Sequence, residues 1–318
     1  MRAPVRLALV GAGAMGERHA RSADAAAGVQ VDVVVDRHLD RAGRIAARSG
    51  CRAADRLDDA LRRCDAAVVA TPADEHTETA LAFLEAGRPV LVEKPLADRL
   101  DDVECLIVAS ERYGVPLMCG FVERFNPAVT AAATLLSAPP RRMAAQRCSP
   151  PVPRMRTGVV HDLLIHDIDL ALLFAGGAPV DGVAVRTGPG GLGNAGAGAG
   201  VGAGTGCTIA FASGATASLW ASRASERWIR RFALESAGHV LELDLARPSV
   251  TVSSRRLDIT RTGPGADALG RQLRHFLALI HGQASAARER AGLRPPHVVA
   301  ARLAAEAAAG AAAVPEAT

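Results

Sequence analysis

The sequence predicts an α/β protein: an N-terminal doubly wound parallel sheet, then a second, α+β domain with an open, mostly antiparallel sheet. Three observations predict it. Up to about residue 120, short β-branched runs alternate with Ala-rich helical stretches. A glycine turn, Gly11-Ala-Gly-Ala-Met-Gly16, joins the first run to the first helix. Beyond residue 121, β-like runs follow one another with few helices between them.

Taken in order, Val5 to Val10, Val31 to Val35, Ala66 to Ala70, Val90 to Val92 and Pro116 to Cys119 are unbroken apolar runs, as expected of strands buried on both faces. Between them lie helical stretches at Glu17 to Ala27, Arg41 to Ser49, Glu75 to Ala86 and Leu100 to Tyr113, the last stopped by Gly114 and Pro116. Residues 1–121 are read as the first domain and 122–318 as the second. The second opens on a Pro/Arg-rich stretch and an apolar helix, Asp162 to Phe174. Strands are expected near Val180 to Arg186, Cys207 to Phe211, Ala215 to Ala221, Arg231 to Glu235 and His239 to Leu243. Gly188 to Gly206, almost all Gly and Ala, is expected as a loop between two of them. Two helices close the chain, Ala266 to His281 and Pro296 to Ala313, and they can pack back on the first domain; the first carries Leu269, Leu273, Phe276, Leu277 and Ile280 on a packing face.

Composition narrows the function. A formal charge of +4 over 318 residues, spread among scattered arginines, does not imply nucleic-acid binding. Aromatics at 3% leave little for base-stacking platforms. No apolar run of membrane-spanning length and no leader pattern is present, so a soluble, cytoplasmic protein is expected. The 6 cysteines lack any C-x-x-C pair and read as reduced, mostly buried thiols.

The glycine turn carries the first chemistry. Gly11 permits the tight turn, Gly13 lets a pyrophosphate approach the backbone, and Gly16 lets the helix pack closely on the strand, with Ala14 and Met15 between them. The helix N-terminus then offers N–H donors to phosphate. Asp36, at the end of the second strand, would accept hydrogen bonds from the adenosine ribose and repel a 2′-phosphate, favouring NAD over NADP; Arg37 beside it is of the type that accommodates that phosphate.

Of the 37 basic residues only Lys94 is a lysine. It follows the fourth apolar run, at the strand end where ligands sit in open α/β sheets. Burial can lower an ammonium's pKa, so it can join a proton relay or polarise a hydroxyl, which a guanidinium cannot. A second cluster, Asp162, His166 and Asp169, falls within about 60° on one face of a helix. A satisfied core network, a metal site and an acid/base site all fit such a stripe; no motif such as H-E-x-x-H supports the metal.

GAGAMG, Ala70-Thr-Pro72 with His76, Glu93-Lys-Pro95, Gly120-Phe-Val-Glu-Arg-Phe-Asn-Pro127 and the D-x-x-x-H-x-x-D helix together resemble the Gfo/Idh/MocA oxidoreductases. The run Gly158 to Asp169, Pro150 to Arg154 and Ala221 to Ser225 look most like the UDP-N-acetylglucosamine 3-dehydrogenase branch. The resemblance implies a Rossmann domain binding NAD, a sugar or nucleotide-sugar substrate, a homodimer or homotetramer, and a catalytic trio of Lys94, Asp162 and His166. It implies too that Thr71, Pro72, His76 and Glu93 line the cofactor, that Arg124, Asn126 and Asp169 face the substrate, and that Arg154 and Arg156 can meet a diphosphate. The Gly/Ala loop departs from that branch. A dehydrogenase or reductase of a free sugar, a polyol or another keto-sugar, and a non-catalytic NAD-binding regulator, are the alternatives.

Overall fold

The computed structural model describes residues 3–151, 157–189, 203–252, 255–258 and 267–312. The chain divides into two compact units, residues 1–125 with 261–294, and residues 126–260 with 295–318. The first break therefore falls just beyond the expected 121/122, and a later segment joins the first unit.

The first unit runs β1 (Val5–Val10), α1 (Ala14–Asp24), β2 (Val29–Val35), α2 (Leu39–Ser49), β3 (Arg52–Ala54), α3 (Leu57–Arg63), β4 (Ala66–Val69), α4 (His76–Glu85), β5 (Val90–Val92), α5 (Leu100–Arg112) and β6 (Leu117–Cys119). Its six strands lie in the order β3-β2-β1-β4-β5-β6, every pairing parallel. All four side chains of β4 and all three of β5 are buried, which is why these runs show no polar alternation. Strand order reverses between β1 and β4, and that reversal opens a crevice at their carboxyl ends. The short β3, Arg-Ala-Ala, has no apolar run to announce it.

The second unit contains α6 (Pro127–Leu135), β7 (Arg142–Cys148), a π-helical turn (Val160–Leu164), α7 (Ile165–Phe174), β8 (Val180–Pro189), β9 (Ala203–Phe211), β10 (Thr216–Ser222), β11 (Ile229–Ser236), β12 (His239–Asp244), β13 (Ser249–Val252) and β14 (Arg255–Asp258). The sheet order is β14-β13-β12-β11-β7-β10-β9-β8. Only β7 and β10 pair in parallel; the other ladders are antiparallel. The central β7 lies in the Pro/Arg-rich stretch, where no strand was expected. Its Arg147 is 2% exposed and held by Asp167 of α7 in a two-bond fork of 3.0 and 2.8 Å, so a charged residue sits in a central strand because its partner is built in.

Two expectations need correcting. The helix expected over Asp162 to Phe174 begins as a π turn, which carries Asp162, and becomes α-helical at Ile165. The expected Gly188 to Gly206 loop is shorter at both ends, because Gly188 pairs with Gly204 and Pro189 with Ala203 in the β8–β9 ladder. Residues 190–202 lie outside the described residues.

The chain ends with α8 (Ala268–Ile280) and α9 (Ala286–Ala291), both within the first unit, and α10 (Arg294–Ala312), which belongs to the second from Pro295. Asp267 caps α8, its Oδ1 accepting from the Gly270 N–H at 2.8 Å. Leu273, Phe276 and Leu277 of α8 share one core with Leu7, Leu9, Val34, Ile45 and Val68. Among the described residues no helix is long and apolar enough to cross a membrane. Burial pushes the thiols of Cys64 and Cys207 up to about 12, which makes them space-filling groups rather than nucleophiles.

Candidate active site

The glycine turn closes on itself. Gly11 has φ +100°, and a Cβ there would lie 2.5 Å from the Ala70 carbonyl oxygen. One at Gly16 would lie 1.9 Å from the Gly11 carbonyl oxygen, so the helix approaches the turn only without a side chain. At Gly13 no heavy atom beyond its chain neighbours stands within 4 Å of a Cβ position, so the space is open. Gly13 is the N-cap of α1 and brings no side chain to the first N–H groups of the helix. Above it lies a cleft of about 530 Å³ whose walls include Gly11, Gly13, Ala14, Met15, Asp36, Arg37, Thr71 and Pro72. The Thr71 hydroxyl is buried with no partner. An open cradle over free helix N–H groups, an unanswered hydroxyl and a carboxylate at the far strand end fit a dinucleotide.

Asp36 is fixed by backbone donors: its Oδ2 accepts from Ala12 N–H at 2.7 Å and its Oδ1 from His38 N–H at 2.8 Å. Each oxygen keeps a second lone pair for a ribose hydroxyl.

Below β5 lies a buried polar cluster. Glu93 Oε1 stands 2.7 Å from His19 Nε2, and its Oε2 accepts from Lys94 N–H at 3.3 Å. Burial alone would raise the Glu93 carboxyl; the His19 hydrogen bond and charge and the Lys94 charge outweigh it and hold the group below the usual carboxylate range. Gly120 leaves the room, since a Cβ there would stand 2.9 Å from Glu93 Oε2. Lys94 itself is half-buried. His76 is buried with Nδ1 at 2.9 Å from the Pro95 carbonyl and Nε2 at 3.0 Å from the Thr71 carbonyl, so it ties the turns after β4 and β5 together. His76, Glu93 and Lys94 are not among the residues that line the cleft, and His76 and Glu93 are buried.

In the second unit, Asp162 lies on the π turn and His166 in the first turn of α7, both partly exposed, while Asp169 is buried. Arg223, just after β10, donates from Nη2 to Asp162 Oδ2 at 2.6 Å. π turns recur at functional positions.

Arg124 and Asn126, expected against the substrate, each make contacts within their own unit. Arg124 donates from Nη2 to the Gly292 carbonyl at 3.1 Å, faces Glu289 at 3.6 Å and stacks 5.0 Å over the Phe121 ring. Asn126 caps α6 with Oδ1 and donates from Nδ2 to the Leu245 carbonyl at 2.9 Å, so both ends of its amide are taken by backbone. Arg154 and Arg156 lie outside the described residues. Sequence reasoning assigned no role to His19, Glu75, Gly120 and Arg223, although Gly120 and Arg223 lie within motifs that carry the resemblance. His19 left a further signal, recurring with Gly16, Ala20 and Ala23 along the buried face of α1.

Comparison with known proteins agrees with this geometry. The family described as an oxidoreductase family with an NAD-binding Rossmann fold matches residues 5–121, and the Gfo/Idh/MocA C-terminal domain matches residues 132–234. The chain is 28% identical over 291 residues to UDP-N-acetylglucosamine 3-dehydrogenase of Acidithiobacillus ferrooxidans, covering 87% of this chain and 88% of that protein. It is 38% identical over 189 residues to the myo-inositol dehydrogenase Hyg17 of Streptomyces leeuwenhoekii, over 56% of this chain and 58% of that one. The solved structure of the Acidithiobacillus enzyme, GnnA, superposes with a TM-score of 0.83 at 26% identity, covering 95% and 97% of the two chains. With both domain patterns present in order and the glycine turn built for a dinucleotide, the chain belongs to the Gfo/Idh/MocA family of oxidoreductases.

Proposed function

We propose that this oxidoreductase is an NAD-dependent dehydrogenase that oxidises a secondary hydroxyl of a sugar to a ketone, at C3 of a UDP-amino sugar such as UDP-N-acetylglucosamine. The observation that carries the reading is the single lysine of an arginine-rich chain, half-buried at the carboxyl end of β5, with its backbone N–H donating to Glu93 of the His19–Glu93 pair. In this reading the Lys94 ammonium holds and polarises the substrate hydroxyl oxygen. His166 accepts the hydroxyl proton, and Asp162, oriented by Arg223, accepts hydrogen bonds from neighbouring sugar hydroxyls. Bound NAD supplies the hydride acceptor. The Gly11–Gly16 turn and the α1 N-terminus cradle its pyrophosphate, Thr71 offers its hydroxyl, and Asp36 takes the adenosine ribose and selects NAD over NADP.

The choice of sugar is supported by similarity to a UDP-N-acetylglucosamine 3-dehydrogenase over most of both chains. A second reading, oxidation of a free polyol, is favoured by the higher local identity to a myo-inositol dehydrogenase. A regulator that binds NAD without turnover has no use for Lys94, Asp162 and His166 together. NADH formation measured with UDP-N-acetylglucosamine, UDP-glucose, free N-acetylglucosamine and myo-inositol separates the readings. Turnover confined to UDP-sugars is the expected result. Turnover with myo-inositol alone would replace the substrate, and silence throughout with NAD bound would favour the regulator.

A further inference from the structure

Two strands flank β1, with β2 on one side and β4 on the other. The turns that follow these flanking strands are joined by an ion pair: Arg37, after β2, donates from Nη2 to Oε1 of Glu75, which ends the 3₁₀ turn Ala73–Glu75 after β4. Both residues line the cleft that also holds Gly13 and Asp36. Asp36 is meanwhile immobilised by the Ala12 and His38 N–H groups. The cleft therefore presents three carboxylates, Asp36, Asp55 and Glu75, and two guanidiniums, Arg41 and Arg37, of which Arg37 is already engaged by Glu75.

A guanidinium beside this strand end is the group that receives the 2′-phosphate of NADP. Here a second carboxylate reaches it from across β1. A 2′-phosphate, with a charge of about −1.5 to −2, would have to displace Glu75 from Arg37 and then face both Glu75 and Asp36. A ribose 2′-hydroxyl meets no such barrier. We propose that Glu75 is a cofactor-selectivity residue: by engaging Arg37 it withholds the guanidinium from a 2′-phosphate, and it adds to Asp36 in favouring the dinucleotide whose 2′-hydroxyl is free. The inference rests on the reading of the Asp36 end of the cleft as the adenosine ribose site. It concerns a residue that the glycine motif and its acidic partner do not include, on a different turn of the sheet.

The Arg37 side chain is exposed and that of Glu75 partly so; their pairing therefore contributes little to folding, and variants at either position are expected to fold. Arg41 and His38 line the same cleft and are left unchanged, so their charges act equally in every variant. The test is calorimetric titration of NAD and of NADP into the wild-type chain, Glu75→Gln, Arg37→Ala and the Arg37→Ala/Glu75→Gln double variant, all compared at the same low and then the same raised ionic strength. The wild type should bind NAD in preference to NADP. Glu75→Gln should bind NADP about fivefold or more tighter than wild type, with NAD affinity held within about twofold, and the gain should shrink as salt is raised. In the double variant the gain should be lost, because no released guanidinium remains. Unchanged NADP affinity in Glu75→Gln, or a gain fully kept in the double variant, would overturn the role of Glu75 while leaving Asp36 intact. A wild type that binds NADP as tightly as NAD would overturn the Asp36 reading instead.

Discussion

The cleft of the first unit and the Asp162–His166 region of the second are built by opposite means. In the first, backbone makes the site: a Cβ at Gly11 or Gly16 would strike a main-chain oxygen, whereas one at Gly13 would enter open space. In the second, charged side chains make it, with Asp162 held by Arg223 and the strand beneath α7 anchored by the Arg147–Asp167 fork. A backbone site fails when an atom is added. A side-chain site fails when a charge is removed.

The largest effect should come from the side-chain end of this contrast. Asp167→Ala leaves the Arg147 guanidinium, 2% exposed, without its carboxylate, and breaking a buried pair this way costs about 3–5 kcal/mol. Chemical denaturation measures the loss; a cost below about 1 kcal/mol would mean that Arg147 is solvated and that the fork does not anchor β7. Next comes Gly16→Ala, whose Cβ meets a backbone oxygen that cannot swing away, with an expected cost of about 1–3 kcal/mol or more and weakened NAD binding. Gly13→Ala sharpens the comparison, because its open surroundings and its φ of −79° accept a methyl group. Its stability should stay within about 1 kcal/mol of wild type while the NAD dissociation constant rises. Equal damage to folding from both glycine variants would contradict the division between a packing glycine and a cradle glycine.

The smallest effect concerns acid. Glu93 is held below the usual carboxylate range in the folded chain, so its contribution to stability is present above its unfolded value of about 4.3 and is lost as the pH falls through the lower folded value. Glu93→Gln should flatten that part of the stability profile relative to wild type. An unaltered profile below pH 5 would remove Glu93 from the acid response.

The same contrast explains what could be read from the sequence. The Rossmann half was legible because glycine spacing and unbroken β-branched runs report directly on backbone geometry and two-sided burial. The central strand β7, Arg-Met-Ala-Ala-Gln-Arg-Cys, was hidden because its buried arginine is engaged by Asp167, a partner 20 residues away that no local pattern reveals. The contacts of Arg124 and Asn126 were hidden for a similar reason: Gly292, Glu289 and Leu245, which engage them, are far along the chain. Lys94 was found by composition and by its place at a strand end, because one lysine among arginines is conspicuous there. The π turn that carries Asp162 left no trace in the apolar periodicity, since Leu163, Leu164 and Ile165 are buried under either helical geometry.

The central claim is that Lys94 serves the reaction and not the binding of the cofactor. Its most direct test is to measure NAD affinity and NADH formation side by side in Lys94→Ala, with the best substrate of the wild-type enzyme. The account predicts an NAD dissociation constant within about threefold of wild type and turnover reduced by about 10²–10⁴. Turnover within about threefold of wild type, or a loss explained entirely by weakened NAD binding, would contradict it.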